Sequence, residues 1–323
     1  MHTGSSKYRR KTGVRRRFLA TGHRFHRRRT RRRLLGAKAR MALTILCFLG
    51  LVISGIRLIQ YNAESRQVLV TNETVQALYH KGEGELEAKP TAIPAATGVL
   101  LKAPEPSPEP VKFLKSSGSV LPKFKSLLKM NRDVVGWLNI HDMIDLPVVY
   151  RDNTYYLRRD IKKKKSSAGT LFLDENHPLR ASAQNLIIHG HNMLNGSMFG
   201  RLHRYLRLSY LQKHSVMRFN TLYEENTYVV IAVLVVPDNA RDPGYVNYLG
   251  HPSFRSGKQF LDYANELVER SVYEIPIDIN ETDALLTLST CYEDERLLVV
   301  GRRLRPEESL SDVKARIWEA HEK

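Results

Sequence analysis

The sequence predicts a mainly β domain, either a closed barrel or a sandwich, that follows a membrane-spanning helix. About eight short β-type runs, separated by turn residues, lie between residues 146 and 300. One clear helical pattern interrupts them, which is too few helices for a parallel sheet with helical crossovers. Upstream, an uncharged apolar stretch begins at Met41 and is long enough, with its continuation to residue 60, to cross a bilayer.

The chain begins with a basic arm, residues 1–40, which holds sixteen Lys and Arg and no Asp or Glu. The other 283 residues hold 35 basic and 33 acidic side chains, so nearly all of the formal net charge of +18 belongs to the arm. Such an arm can bind nucleic acid or anionic lipid. Because an apolar stretch follows it directly, we expect contact with membrane lipid of the inner leaflet and no nucleic-acid partner.

Residues 41–60 are predicted to be an uncleaved transmembrane anchor. Arg57 lies near the end of this segment, where an arginine side chain can extend to the interface. The positive flank predicts a single pass through the cell membrane, with the N-terminus cytoplasmic and everything after the anchor extracellular. The alternative is a cleaved signal peptide, but the basic region is too long and no small-residue cleavage pattern follows closely.

Residues 61–121 are predicted to be a flexible extracellular stalk, with room for a short helix within residues 62–80. The segment has too little apolar surface to offset chain entropy, and its prolines favour extended conformations. These prolines are Pro90, Pro94, Pro104, Pro106, Pro108 and Pro110. The remaining residues, 122–323, are numerous enough for one domain with a core of its own.

Within that domain, apolar residues recur at helical spacing over residues 124–137, until Gly136 breaks the pattern. A second helix is predicted over residues 253–270 and a last amphipathic one over residues 309–320. The predicted strands are residues 146–150, 170–174, 185–188, 216–219, 227–236, 272–277, 284–288 and 297–300.

Three residues that could carry chemistry stand at strand ends. Cys291 ends the run Ala284-Leu-Leu-Thr-Leu-Ser-Thr-Cys291, Arg296 opens the next strand, and His191 ends Asn185-Leu-Ile-Ile-His-Gly-His191. The second cysteine, Cys47, lies inside the anchor, so no disulfide can form within the exported part, and an unpaired exported thiol is a candidate reactive group. The alternative is a buried, inert cysteine.

A thiol is mostly protonated at neutral pH, so a nucleophilic cysteine needs a partner. Imidazole and guanidinium groups would favour the thiolate, and the cation would also stabilise an oxyanion. Cys291, His191 and Arg296 supply these groups. His189 shares a face with His191 and could bind zinc with it, but no third ligand stands at a telling spacing, so we expect no metal site and no cofactor.

These residues stand in a pattern that resembles the sortases, membrane-anchored cysteine transpeptidases that attach proteins to Gram-positive cell walls or polymerise pilins. The resemblance covers residues 124–304 and is closest to class B. It rests on Thr287-Leu-Ser-Thr-Cys291 followed by Arg296, on Gly190-His191, on Met130–Asn139, Leu146–Tyr150, Asp152–Leu157 and Gly169–Asp174, and on the helix at 253–270. It implies an eight-stranded β-barrel with an N-terminal helix and an inserted helix.

The resemblance implies a role for each residue. Cys291 is the nucleophile that attacks a threonine carbonyl in a sorting signal, His191 the general acid and base, and Arg296 the group that binds substrate and oxyanion. His189 stands where class B members often carry tyrosine, and it is expected to be a neighbour of the site. The implied partners are surface proteins with a C-terminal sorting signal and an amine acceptor, such as a peptidoglycan precursor or a pilin lysine.

Two other functions are compatible with these residues. One is an extracellular cysteine peptidase that ends in hydrolysis, although the papain order, with cysteine before histidine, does not match. The other is a non-catalytic scaffold tethered to the membrane, which the intact Cys, His and Arg set disfavours.

Overall fold

A computed structural model describes residues 22–84, 119–177, 183–250 and 253–323 of the chain. The chain divides between Asn62 and Ala63 into two compact units, and each is described by itself. Helix α1, Gly22–Gly84, contributes to both units. The first 21 residues of the predicted basic arm and most of the second half of the predicted stalk lie outside the described residues.

In the first unit, α1 carries the apolar stretch with its side chains exposed all around the helix. The exposed side chains include Leu43, Leu46, Phe48, Leu51 and Ile53. Among the residues that the structure describes, this is one helix long and apolar enough to cross a membrane. Apolar exposure on every face suits a helix surrounded by lipid.

The second unit is built on a closed barrel of eight strands in the order β1-β2-β3-β4-β8-β9-β6-β5, and β5 pairs with β1 to close it. These strands are β1 (Val134–Ile140), β2 (Ile144–Tyr150), β3 (Leu171–Leu173), β4 (Asn185–His189), β5 (Val216–Thr221), β6 (Thr227–Pro237), β8 (Leu285–Tyr292) and β9 (Glu295–Arg303). The β2–β3 and β4–β8 pairs are parallel and the other pairs are antiparallel. Closure removes exposed sheet edges.

The predicted eight-stranded barrel is confirmed, but two of its elements were assigned wrongly. The helical pattern predicted over residues 124–137 ends early, because α2 is Pro122–Met130 and the next residues form β1. Conversely, the run at 272–277 is outside the barrel, and only β7, Tyr273–Glu274, is a strand, paired with β10, His321–Glu322. Pro276 lacks the N–H that a longer ladder would need.

Residues 63–84 fall within the predicted flexible stalk, but in the structure they are helical and belong to the barrel unit. Tyr79 is almost fully buried, and its ring stacks on Trp137 with centroids 4.0 Å apart. Its hydroxyl accepts a hydrogen bond from Asn220 at 2.9 Å. The sequence did not predict this packing, because the buried stripe of the helix, which includes Val68 and Val75, has polar residues on either side.

The other helices of the unit are α3 (Leu208–Lys213), α4 (Gly257–Glu269) and α5 (Leu310–Ile317). Helix α4 is the predicted insertion, and the Ser256 side chain caps it by accepting a hydrogen bond from the Gln259 N–H. It buries Phe260, Ala264 and Leu267. This spacing of three to four residues is the apolar face that the sequence showed.

Candidate active site

The β8–β9 hairpin brings Cys291 and Arg296 face to face. Only Glu293 and Asp294 separate the two strands, and Glu293 adopts a positive φ of 52°, as tight two-residue hairpin turns require. In the resulting register Cys291 and Arg296 are direct cross-strand partners. The five-residue spacing between them is thus the consequence of a hairpin, and the Cys291 side chain remains exposed to solvent.

The parallel pairing of β4 with β8 brings His191 to the same rim. His189 is aligned with Ser289 at the end of the parallel ladder, so the residues two positions further on, His191 and Cys291, lie at the same end of the β4–β8 pair. The Thr290 hydroxyl donates to the Gly190 carbonyl at 2.8 Å, and the Asn192 amide donates to the Cys291 carbonyl at 3.0 Å. These bonds tie together two segments that are a hundred residues apart in the chain.

Gly190 is required by the packing beneath His191. A Cβ at this position would lie 2.5 Å from a Leu171 side-chain carbon and 2.7 Å from one of Phe199. Leu171 and Phe199 are both fully buried, so neither can move aside easily. The Gly-His pair in the sequence therefore has a steric explanation.

The imidazole of His191 is half-buried, and its Nε2 lies 2.8 Å from the Leu157 carbonyl oxygen. A carbonyl only accepts, so this contact places a proton on Nε2. In the neutral ring Nδ1 is then the nitrogen with a free lone pair. Leu157 belongs to a short 3-10 helix, Tyr155–Arg158, which therefore orients the ring.

Arg296 is held by Asp238, which follows directly on the last residue of β6. The Arg296 Nε donates to one Asp238 carboxylate oxygen at 2.8 Å, and Nη2 lies 3.5 Å from the other. Partial burial on its own would lower the pKa of Arg296, but the hydrogen bond to the Asp238 carboxylate outweighs it and holds that pKa above its usual value. The Arg296 side chain is 28% exposed, so it can still reach a ligand.

His189 points to a second, more buried group of polar residues. Its Nε2 lies 3.0 Å from the Asp174 carboxylate, which is 4% exposed and also accepts from the Asn153 amide. Burial on its own would raise the pKa of Asp174. The hydrogen bonds from His189, from the Asn176 N–H and from Asn153 prevail, and the pKa falls to about 2.

The sequence singled out Cys291, His191, Arg296 and His189, and the structure brings all four to one end of β4, β8 and β9. It did not single out the residues that hold them: Asn192, Asp238 and Asp174. A polar residue directly after an apolar strand was the available signal for Asp238 and Asp174. The zinc alternative gains no support, because no cluster of three His, Cys, Asp or Glu side chains suited to a metal occurs in the described parts of the chain.

The structure is a closed eight-stranded barrel with a thiol, an imidazole and a guanidinium at one rim. These features define the class of protein as a β-barrel with a candidate cysteine active site. Comparison with known proteins agrees, since the Sortase domain model matches residues 140–304. Sortase B of Listeria monocytogenes is 33% identical over 196 residues, which are 58% of this chain and 76% of the relative. The chain belongs to the sortase family.

Solved structures of sortases resemble this one in fold. A Bacillus anthracis protein similar to sortase B has a TM-score of 0.58 and 26% identity, with 76% of this chain and 98% of that chain covered. The Staphylococcus aureus sortase B–substrate complex has a TM-score of 0.59 and 22% identity, with 76% and 100% covered, and this likeness concerns the fold. Family membership implies cysteine transpeptidase activity.

Proposed function

We propose that this chain is a membrane-anchored, class B-like sortase that cleaves a sorting signal after threonine and transfers the acyl group to an amine. The observation that carries the proposal is the convergence of three side chains from separate strand ends. Cys291 and Arg296 are cross-strand partners, and Asn192, next to His191, bonds to the Cys291 carbonyl. Nucleophile, proton carrier and cation are the three requirements of acyl transfer through a thioester.

The first step is attack of the Cys291 thiolate on the threonine carbonyl carbon. The new C–S bond forms as negative charge develops on the carbonyl oxygen, and Arg296 stabilises that charge. The Asp238 carboxylate occupies Nε and one edge of Nη2, which leaves the Nη1 N–H groups for the substrate. The peptide C–N bond then breaks, and protonated His191 gives its proton to the departing amine.

The second step reverses this sequence with a different amine. The acceptor amine attacks the thioester carbon and gives a proton to His191, the C–S bond breaks, and the Cys291 thiolate returns. The Leu157 carbonyl binds Nε2–H in both protonation states of His191, so Nδ1 is the nitrogen that exchanges the proton. His189 and Asp174 support the strand end and take no part in the transfer.

The apolar segment of α1 serves as the membrane anchor. Its exposed apolar side chains and the basic residues before it support a single pass with the N-terminus inside the cell and the catalytic unit outside. The partners are surface proteins with a C-terminal sorting signal and an amine acceptor, either a peptidoglycan precursor or a pilin lysine. A Staphylococcus aureus sortase B–substrate complex shares this fold, which is consistent with a substrate bound at the barrel.

The test uses the full chain in detergent with a panel of pentapeptides that contain proline and threonine. We expect a thioacyl adduct on Cys291, seen as a mass increase of the intact protein, and none in Cys291→Ala. Cys47→Ser is the matched control and should form the adduct at the unaltered rate. Undiminished peptide cleavage by Cys291→Ala would contradict the proposal.

A second comparison isolates the guanidinium. Arg296→Lys should reduce the adduct rate by a hundredfold or more, because a lysine cannot hold Asp238 and the substrate through one planar group. Arg303→Lys, an exposed arginine on the same strand, is the control and should have almost no effect. Product analysis with and without an added amine distinguishes transpeptidation from hydrolysis. Alkylation of Cys291 at the rate of a free thiol, with no adduct, would favour the scaffold alternative.

A further inference from the structure

A strongly basic loop of the barrel unit lies apart in sequence from the catalytic residues. Residues 158–165, hereafter the basic hairpin, read Arg-Arg-Asp-Ile-Lys-Lys-Lys-Lys. Six of its eight residues are basic and one is acidic. Arg158 and all four lysines are exposed, whereas Asp160 is buried. The mechanism above uses none of these side chains.

The basic hairpin is a built structure that holds its lysines in place. Arg159 and Lys165 form a β-bridge, and the Asp160 carboxylate accepts from the Lys164 N–H at 2.8 Å. Ile161 is buried, and its carbonyl accepts from the Asn131 amide at 2.9 Å. Lys163 turns back with a positive φ of 63°. The loop therefore presents cations from a fixed backbone.

Nearby carboxylates neutralise little of this charge. Lys163 pairs with Asp133 at 3.0 Å, and Asp133 also accepts from the Tyr156 hydroxyl. The Asp160 carboxylate is engaged by the loop's own backbone. Lys162, Lys164 and Lys165 form no ion pair with the side chains that the structure describes, and like charges on so short a segment repel one another unless an anion lies among them.

The segment that follows the basic hairpin contacts α1 only a few residues after the predicted anchor. The Ser167 N–H, two residues beyond the hairpin, donates to the Glu64 side chain on α1. Glu64 follows the last residue of the predicted anchor, residue 60, by four positions, and four residues span at most about 14 Å whatever their path. The headgroup layer itself extends about 5–7 Å from the hydrocarbon. The tether between the predicted anchor and the residue that binds Ser167 is thus no longer than about one to two Debye lengths at physiological ionic strength.

We propose that the basic hairpin is a docking surface for anionic phospholipid headgroups on the outer face of the membrane that holds the anchor. Each lysine near such a surface gains about 1 kcal/mol, or about fivefold in binding. Contact would fix the barrel unit at the membrane through the same short helix, Tyr155–Arg158, whose Leu157 carbonyl binds His191. The inference rests on the proposed membrane anchoring and is independent of the thioacyl chemistry.

Lysine acylation footprinting of the full chain in nanodiscs tests whether the basic hairpin binds anionic headgroups. Discs of phosphatidylcholine alone are compared with discs that contain phosphatidylglycerol, and mass spectrometry measures the acylation rate of each lysine. We expect Lys162, Lys164 and Lys165 to react about fivefold more slowly in the phosphatidylglycerol discs, and 0.5 M salt to abolish the difference. Lys258 and Lys314, exposed on α4 and α5, are the controls and should react equally in both.

Equal rates in both discs, or equal protection of Lys258, would overturn the proposal. Protection by soluble polyphosphate in phosphatidylcholine discs, without protection by phosphatidylglycerol, would assign the surface to a soluble polyanion and also overturn it. The Cys291→Ala chain should give the same footprint, so failure of the sortase chemistry leaves this test intact. Failure of the chain to incorporate into discs would instead refute the anchoring.

Discussion

Asp174→Asn removes one negative charge from the buried group behind the site, and the structure sets the size of the effect. The folded pKa of Asp174 is about 2, against a usual 3.8. Each tenfold change in the ionisation constant is worth about 1.36 kcal/mol, so the carboxylate contributes about 2 kcal/mol to the free energy of unfolding at pH 7. For a unit of this size, that loss lowers Tm by about 4–8 °C.

The pH dependence has a definite sign. Because the folded pKa is depressed, the stabilisation is complete above the unfolded pKa, near 3.8, and is lost as the pH falls through about 2. The difference between wild type and Asp174→Asn should therefore shrink from about 2 kcal/mol at pH 7 to about 1 kcal/mol at pH 3. An exposed carboxylate without such partners would show almost no difference.

The assay is urea unfolding of the full chain in detergent at pH 7 and pH 3, followed by the fluorescence of the buried Trp137. Asp262→Asn is the control, because its ion pair with Lys258 is exposed to solvent and should contribute little to the free energy of unfolding. The reasoning is wrong if Asp174→Asn costs no more than Asp262→Asn at pH 7. It is equally wrong if the cost is the same at pH 3 as at pH 7.

Three further substitutions test other contacts. Glu308→Gln should lower the free energy of unfolding by about 3–5 kcal/mol in the same assay, because Arg302 is fully buried and Glu308 binds both of its terminal nitrogens. Glu307→Gln, at an exposed neighbouring position, is the control and should change it very little. Tyr79→Phe should lower the free energy of unfolding by about 1–3 kcal/mol, because the buried Asn220 amide loses its acceptor while the ring stack on Trp137 remains. A loss below about 0.5 kcal/mol would contradict this and show that water replaces the hydroxyl. Gly190→Ala should slow thioacyl formation at least tenfold, because the added Cβ would lie under 3 Å from Leu171 and Phe199 and would displace the backbone that carries His191. Gly36→Ala, which has open space around it, is the control.

The sequence alone was a good guide to the strands with uninterrupted apolar runs. The predicted runs at residues 185–188 and 227–236 lie within β4 and β6. It was a poor guide where two periodicities overlap, as in Val134–Ile140, whose first residues also continue the pattern of the preceding helix. It also missed the packing of residues 63–84, because a narrow stripe with few large apolar residues is stable only against a matching groove.

The candidate catalytic residues could be predicted from the sequence because they depend on residue type and on short spacings. The four residues between Cys291 and Arg296 leave room for little but a tight hairpin, and a hairpin sets its own cross-strand partners. The isolation of Cys291 and the basic flank before the anchor are likewise properties of the linear sequence.

Only the tertiary structure decided which distant groups meet these residues. His191 reaches Cys291 through the parallel β4–β8 ladder, and a pairing across a hundred residues leaves no local periodicity to read. Asp238 and Asp174 are ordinary polar residues in the sequence, and they become partners of Arg296 and His189 because barrel closure sets those side chains beside them. The sequence thus determined the reactive groups, and the fold determined their geometry and charge, because distances and burial arise only when the strands are closed into a barrel.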